Sequence, residues 1–259
     1  MELCTASREC DFGLTCEPFS GDYVDVDGTL SPIVRNPDLA EIPEHTLQVL
    51  DRLSEVPRVF VALVTGRDLD SLSRMEQLRG IWRGVEHGGV VLGPGERIAE
   101  RDLSEPQRQA LARFGEWARN HASDAFIEVK PQAVAVHVRG IAETNPERAK
   151  LLLTEADVLA ESLGLHVRRG KALREAEAVP HDKGSAVSEI LRRTGAASVF
   201  FAGVDVTDFP AIELAAAQGV GVFVRSDERR DDPAENSVVL DGVEQLSNVL
   251  HELVTRLGG

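Results

Sequence analysis

Cysteine is scarce in this chain: only three of 259 residues are cysteine, and Cys4, Cys10 and Cys16 all precede the first strand-like stretch. An odd number at wide spacing fits neither a zinc ribbon nor a disulfide framework, so these thiols read as incidental to an N-terminal extension. Long apolar runs are also missing. No stretch approaches the roughly 20 residues needed to span a bilayer, and no N-terminal apolar segment resembles a secretion signal, which makes the cytoplasm the expected location. Positive charge is in short supply, since 28 Lys and Arg face 43 Asp and Glu for a net charge of −15. A nucleic-acid partner would require a basic face, and the balance argues against one. The same field slows the approach of any anion, so an anionic ligand would need a local pocket of cations. Internal repeats are absent, as are low-complexity tracts beyond one charged, proline-containing loop from Ser226 to Asn236.

What the chain does contain is a set of apolar strands that end in polar, glycine-bearing turns. The most informative is Asp25-Val26-Asp27-Gly28-Thr29, which closes a strand-like stretch beginning near Tyr23. Two carboxylates two residues apart share one face of a strand whose tip is open to ligand. That geometry suits magnesium-dependent phosphoryl transfer: Asp25 as nucleophile, Asp27 as proton carrier for the leaving oxygen, and a hard cation offsetting the repulsion between carboxylate and phosphate. It also suits an acidic strand-to-turn cap.

Three further element ends complement it. Val59 to Val64 is a continuous apolar run of the kind buried in a parallel sheet, and it delivers Thr65-Gly66-Arg67 to its carboxyl end, where a hydroxyl and a free amide can hold phosphate oxygens. Asp182-Lys183-Gly184 opens an amphipathic helix, placing Lys183 near a helix N-terminus, where it can stabilise both phosphate and Asp25. Ser198 to Ala202 runs into Gly203-Val204-Asp205-Val206-Thr207-Asp208, a second acidic strand tip. Taken singly, Thr65 reads equally as a helix cap, Lys183 as a solvated charge and Asp208 as an N-cap. Taken together they form a candidate site.

These four segments resemble the motifs of the haloacid dehalogenase superfamily, and within it most closely the trehalose-6-phosphate phosphatases. Further likeness lies in Phe126-Ile-Glu128-Val-Lys130, in Ala135-Val-His137-Val-Arg139, and in the spacing from Gly170-Lys171 through Glu175 to Lys183. The resemblance covers the chain from about residue 22 onward. It implies an α/β fold: a Rossmann-like core with a central, mostly parallel sheet, and a small mobile α/β cap inserted between the second and third motifs. It also implies hydrolysis of a disaccharide phosphate, with Mg²⁺ at Asp25, Asp27, Asp205 and Asp208, catalysis by Asp25, Asp27, Thr65 and Lys183, and substrate contacts from Gly66, Arg67, Glu128, Lys130, His137, Arg139 and Glu175. The chain departs from the family pattern at Val204, where an aspartate that helps hold the metal is usual, at Ala176-Glu177-Ala178, where Leu-Arg-Pro is usual, and at Phe209, where an acidic residue is usual. Asp205 is the residue that could compensate for Val204.

The expected segments are an extension at 1–20, core at 21–101, cap at 102–177 and core again at 178–259. In the core, Glu44 to Val56 forms a helix, and 84–89 a short strand and turn that carries a hydrogen-bonded structural His87. In the cap, Ser104 to His121 and a helix opened by Pro146 and capped by Asn145 flank two strands. Val134, Val136 and Val138 share one face there, while Ala133, Ala135, His137 and Arg139 share the other. Glu128 and Lys130 likewise lie opposite Ile127 and Val129. Residues alone would make these four charged or polar groups a solvated edge; the resemblance makes them sugar-hydroxyl ligands. The expected activity is removal of phosphate from a small-molecule sugar phosphate, trehalose 6-phosphate first, by a monomer with neither nucleic acid nor membrane as partner. A sugar-phosphate-binding homologue of low turnover, and a phosphatase for a related pseudosugar or glycosyl-glycerate phosphate, stand as alternatives.

Overall fold

The computed structural model describes residues 20–34, 39–97, 103–130, 132–170, 172–226 and 236–257. The three cysteines, Lys171 and most of the 226–236 loop therefore lie outside the described residues. Two compact units emerge: one joins the chain up to residue 98 with the chain from His181 onward, and the other is Ala99–Pro180.

The first unit is built on a seven-stranded sheet. Its strands are β1 (Ser20–Val24), β2 (Val59–Val64), β3 (Trp82–Val85), β4 (Val90–Leu92), β9 (Ser198–Gly203), β10 (Gly219–Val224) and β11 (Val238–Leu240), in the order β11-β10-β9-β1-β2-β3-β4. All neighbours are parallel except the β3–β4 pair. Buried on both faces, β2 and β10 are near-continuous apolar runs, as parallel strands must be. On one side, helices α1 (Glu44–Glu55), α2 (Leu69–Met75) and α8 (Val243–Leu257) bury Leu50, Leu53, Leu72, Leu246 and Leu250 against Val24, Val61 and Leu63. On the other, α6 (Lys183–Thr194) and α7 (Phe209–Gln218) bury Val187, Ile190 and Ile212 against Tyr23, Ala62 and Phe201. Central β1 thus alternates Tyr23 and Val24 between two cores, and the chain leaves it at Asp25. β2 and β9 lie on either side of β1, so this is the point where the strand order reverses, and ligands of open α/β sheets bind outside the carboxyl ends of the strands at such a point.

The second unit has a four-stranded antiparallel sheet of β5 (Phe126–Val129), β6 (Ala133–His137), β7 (His166–Gly170) and β8 (Leu173–Glu177), ordered β5-β6-β8-β7. Val134, Val136 and Ala176 face α3 (Glu105–His121) and α5 (Pro146–Ser162) in a separate core around Phe114 and Leu152. Both helix starts are legible in their caps. Ser104 and Gln107 form a reciprocal capping box, and the Asn145 side chain accepts the Arg148 N–H at 3.1 Å. One expectation about this unit fails. Arg139 does not continue the His137 face, because the strand ends at His137, Val138 turns to φ −107°, ψ 14°, and Arg139 opens the short helix α4 (Arg139–Thr144). The alternation that the apolar pattern suggested through residue 139 stops where the Val138 N–H donates to the carbonyl of Ala172, the residue before β8. No helix among the described residues is long and apolar enough to cross a membrane.

Candidate active site

Sheet register gathers the site. Val24 lies level with Leu63 on one neighbour and Ala202 on the other, so the residues that follow them emerge side by side. The Asp25 N–H donates to the Ala202 carbonyl at 2.9 Å. The chain then winds tightly, with Leu30 and Ser31 donating to the Val26 carbonyl. Gly28 makes that winding feasible: its φ is +81°, and a Cβ there would lie 2.9 Å from Val204 Cγ1.

Lys183 is the centre of the arrangement. The helix that carries it is capped by Asp182, whose carboxylate accepts the Ser185 N–H at 2.7 Å while Ser185 Oγ accepts the Asp182 N–H at 3.0 Å. From this fixed start the Lys183 ammonium reaches Asp25 Oδ1 at 2.6 Å and Asp208 Oδ1 at 2.5 Å, with all three residues buried. Burial works against the ammonium, but Asp208 and Asp25 together hold its pKa above the ordinary lysine range. The Asp25 carboxyl moves up to about 7, first through burial and then through the nearby Asp208 charge, with Lys183 opposing both. A buried lysine shared by two carboxylates is thus neither a solvated charge nor an incidental contact.

Asp208 has a second task. Its Oδ2 accepts the N–H groups of Val204 at 2.9 Å and Asp205 at 2.8 Å, which folds the fourth segment back on itself. It sits before α7 but makes no side-chain cap there. Thr65 is not a helix cap either. It is fully buried, its Oγ1 accepts the Arg67 N–H at 3.2 Å, and α2 is capped by Asp68. Gly66 passes directly beneath the His87 ring, 2.5 Å from where its Cβ would be, so a side chain at residue 66 would collide with the imidazole. His87 holds that position in the left-handed region, at φ 56° and ψ 29°.

Two features escape a reading of motifs. The Thr29 hydroxyl points at Asp25 Oδ2 at a long 3.4 Å. Arg67, expected to contact a ligand, forms a bidentate pair with Asp27, through Nε to Oδ2 at 2.8 Å and Nη2 to Oδ1 at 2.6 Å, and a third bond from Nη1 to Ser71 Oγ at 3.0 Å. The signal for this was present, since Arg67 and Asp27 end adjacent parallel strands, but pairing between strand tips depends on register that single segments do not carry. In the second unit Lys130 Nζ meets Glu175 Oε1 at 2.7 Å and His137 Nε2 lies 3.1 Å from Glu128 Oε2. Beside them stands a pair absent from the sequence reading, Arg168 with Glu177 at 2.7 Å. β7, which supplies Arg168, has the charged sequence His-Val-Arg-Arg-Gly and offers little periodicity to detect.

The donor set at Asp25 is hard oxygen, as a magnesium-type cation requires, and such an ion is usually bound through one or two carboxylates while keeping several waters. Asp25 and the Asp27 segment fit that sparse mode. A full protein cage does not fit, because both Asp208 oxygens are engaged, Val204 is apolar and buried beside Gly28, and among the described residues no three His, Cys, Asp or Glu side chains converge on one point.

A doubly covered sheet with an acidic strand tip at its centre, a buried lysine opposite and a small α/β unit inserted in the chain defines the core-and-cap fold of the haloacid dehalogenase superfamily. The trehalose-phosphatase family model matches residues 23–244, and the chain belongs to that family. It is 30% identical over 221 residues to a Mycobacterium tuberculosis protein named as an uncharacterized glycosyl hydrolase, a match covering 81% of this chain and 16% of that protein. It is 32% identical over 204 residues to a bifunctional trehalose-6-phosphate synthase/phosphatase of Thermoproteus tenax, covering 78% of this chain and 28% of the other. The chain thus spans under a third of the length of either relative. Among solved structures, trehalose-6-phosphate phosphatase of Aspergillus fumigatus superposes with a TM-score of 0.69 at 23% identity, over 92% of this chain and 93% of that one.

Proposed function

We propose that this chain is a phosphatase for a sugar phosphate, with trehalose 6-phosphate as the leading substrate. The observation that carries the proposal is the Lys183 ammonium held between the Asp25 and Asp208 carboxylates at the reversal point of the sheet. Asp25 would attack phosphorus, forming a bond from its carboxylate oxygen as the bond to the sugar oxygen breaks. Asp27, released from Arg67 and carrying a proton, would pass that proton to the departing sugar oxygen. Water would then attack the phosphorus of the aspartyl-phosphate while Asp27 takes its proton back, which frees Asp25 and releases inorganic phosphate. Thr65 and Gly66 would steady the phosphoryl oxygens, and Lys183 would balance the charge on Asp25 throughout.

A bound Mg²⁺, held by Asp25 and Asp27 with Asp205, the residue after Val204, as a further carboxylate, would supply neutralisation of the phosphate charge. In this reading Asp208 shapes the loop rather than meeting the ion, since both its oxygens are engaged. Glu128, Lys130, His137 and Glu175 would read sugar hydroxyls, with Arg139 contributing from the start of α4. A second reading, a sugar-phosphate-binding homologue of low turnover, draws on Val204. The test is phosphate release over a panel of sugar phosphates with and without Mg²⁺, using Asp25→Asn as the blank. Release from trehalose 6-phosphate well above the blank is expected; binding with no release above the blank would transfer the proposal to the second reading.

A further inference from the structure

The small sheet has one face turned to α3 and α5. Its other face carries Phe126, Glu128 and Lys130 along the β5 edge, with His137 directly across from Phe126 and Glu175 within reach of Lys130. Phe126 stands out among these groups. It is 67% exposed. Its ring lies 5.4 Å from the His137 ring, tilted by 50°, and the His137 Nε2 is itself held by Glu128. The result is an apolar ring whose partner is fixed by a carboxylate, with an acceptor at residue 128 and a donor at residue 130 following on the same face.

A pyranose has complementary chemistry, because its ring hydrogens form an apolar patch bordered by hydroxyls that need paired donors and acceptors. Resting on the reading that the substrate is a sugar phosphate, we propose that Phe126 is a specificity-determining residue, a platform for the C–H face of a pyranose ring whose hydroxyls are met by Glu128 and Lys130. Aromatic side chains give contact area at low cost in lost rotamer freedom and tolerate a polar border, so the ring adds contact that the ion pairs cannot. The phosphoryl group lies outside its task. Phe126 therefore discriminates between substrates with and without the sugar ring, and leaves the chemical step alone.

The experiment compares wild type, Phe126→Ala, Phe126→Leu and Phe126→Trp on trehalose 6-phosphate, other pyranose phosphates and acyclic glycerol phosphate, with a thermal melt for each. Exposure of the ring means that all four should melt alike. For pyranose phosphates kcat/KM should fall about 5- to 10-fold in Phe126→Ala, largely through KM, recover in Phe126→Trp and recover less in Phe126→Leu. Glycerol phosphate should show no change. No loss on any pyranose phosphate, an equal loss on glycerol phosphate, or full recovery by leucine would each overturn the platform. Wild-type turnover judges the functional reading separately: if no pyranose phosphate is hydrolysed, that reading fails, and Phe126 is judged on trehalose binding by saturation-transfer NMR. Contact with ring protons that is lost in Phe126→Ala then supports the platform, and its absence in wild type overturns it.

Discussion

The two units hold charge in opposite ways. In the seven-stranded unit a single ammonium is buried between two carboxylates, one of which also binds two backbone amides, and every member is fixed by a strand or helix end. In the four-stranded unit the ion pairs run across a sheet face, where Glu175 and Glu177 are buried while Lys130, Arg168, His137 and Glu128 are partly open to water. Removing a member of the buried cluster leaves an uncompensated charge in a low-dielectric site, whereas an ion pair on a half-open sheet is screened and costs less to break. The first arrangement suits a group that must not move during chemistry. The second suits side chains that exchange one hydrogen-bond partner for a ligand.

Asp25→Asn is the strongest way to test that contrast. Phosphate release should drop by at least about 10³-fold, since an amide cannot serve as nucleophile, while circular dichroism stays that of the wild type. Near-normal release would remove Asp25 from the mechanism and leave the two units undistinguished. Lys183→Met should instead act on the fold. With Asp25 and Asp208 left facing each other, chemical denaturation should show a loss of about 3 to 5 kcal/mol. A loss below about 1 kcal/mol would mean that the cluster is no more demanding than the sheet face.

Asp22 extends the comparison to pH. It is buried in β1 and its Oδ2 has no hydrogen-bond partner among the described residues, and burial raises its pKa from the ordinary 3.8 to about 7. The folded chain therefore retains a proton that the unfolded chain gives up near pH 4. The stabilisation is fully present below pH 3.8 and is lost as pH rises through about 7, with an upper limit of about 4 kcal/mol. Asp22→Asn should flatten that part of the stability profile and raise the melting temperature at pH 8; an unchanged profile between pH 4 and 8 would show that Asp22 does not titrate there. In the other unit, alanine at Glu128, Lys130 or His137 should lower kcat/KM for trehalose 6-phosphate by about 10-fold and leave a small phosphate ester nearly untouched. Equal losses on both would dissolve the division of labour between the units. The smallest effect is expected at Val204→Asp, where a Mg²⁺ titration of turnover should saturate at a few-fold lower concentration; a higher requirement would mean that the added carboxylate only repels Asp25.

Much of this was legible from residues alone, for reasons that differ by unit. The core strands are apolar runs that end in Asp25, Thr65 and Gly203, and a parallel sheet requires its strands to be apolar and its tips to be polar, so element type and site location came together. Asn145 before Pro146 marked a helix start because a side-chain oxygen must satisfy the first amides. What was hidden depended on register or on weak local pattern. β4 is three residues long, β7 has a single apolar side chain, Val167, and α2 and α4 are short helices. Arg67 on Asp27 could not be read, because each segment alone assigns both side chains to a ligand. Arg139 was misplaced because apolar alternation continues through Val138 while the backbone has already turned.

The Arg67–Asp27 pair carries a consequence for timing. Both oxygens of Asp27, the proposed proton carrier, are occupied by a guanidinium that also reaches Ser71 at the start of α2. A carboxylate held in this way has both oxygens committed until something competes for the arginine. The group best equipped to compete is a phosphate, which offers the guanidinium the same two-pronged geometry with more charge. Arrival of substrate would thus be what frees the Asp27 oxygens, so that they become available only when there is a leaving group beside them.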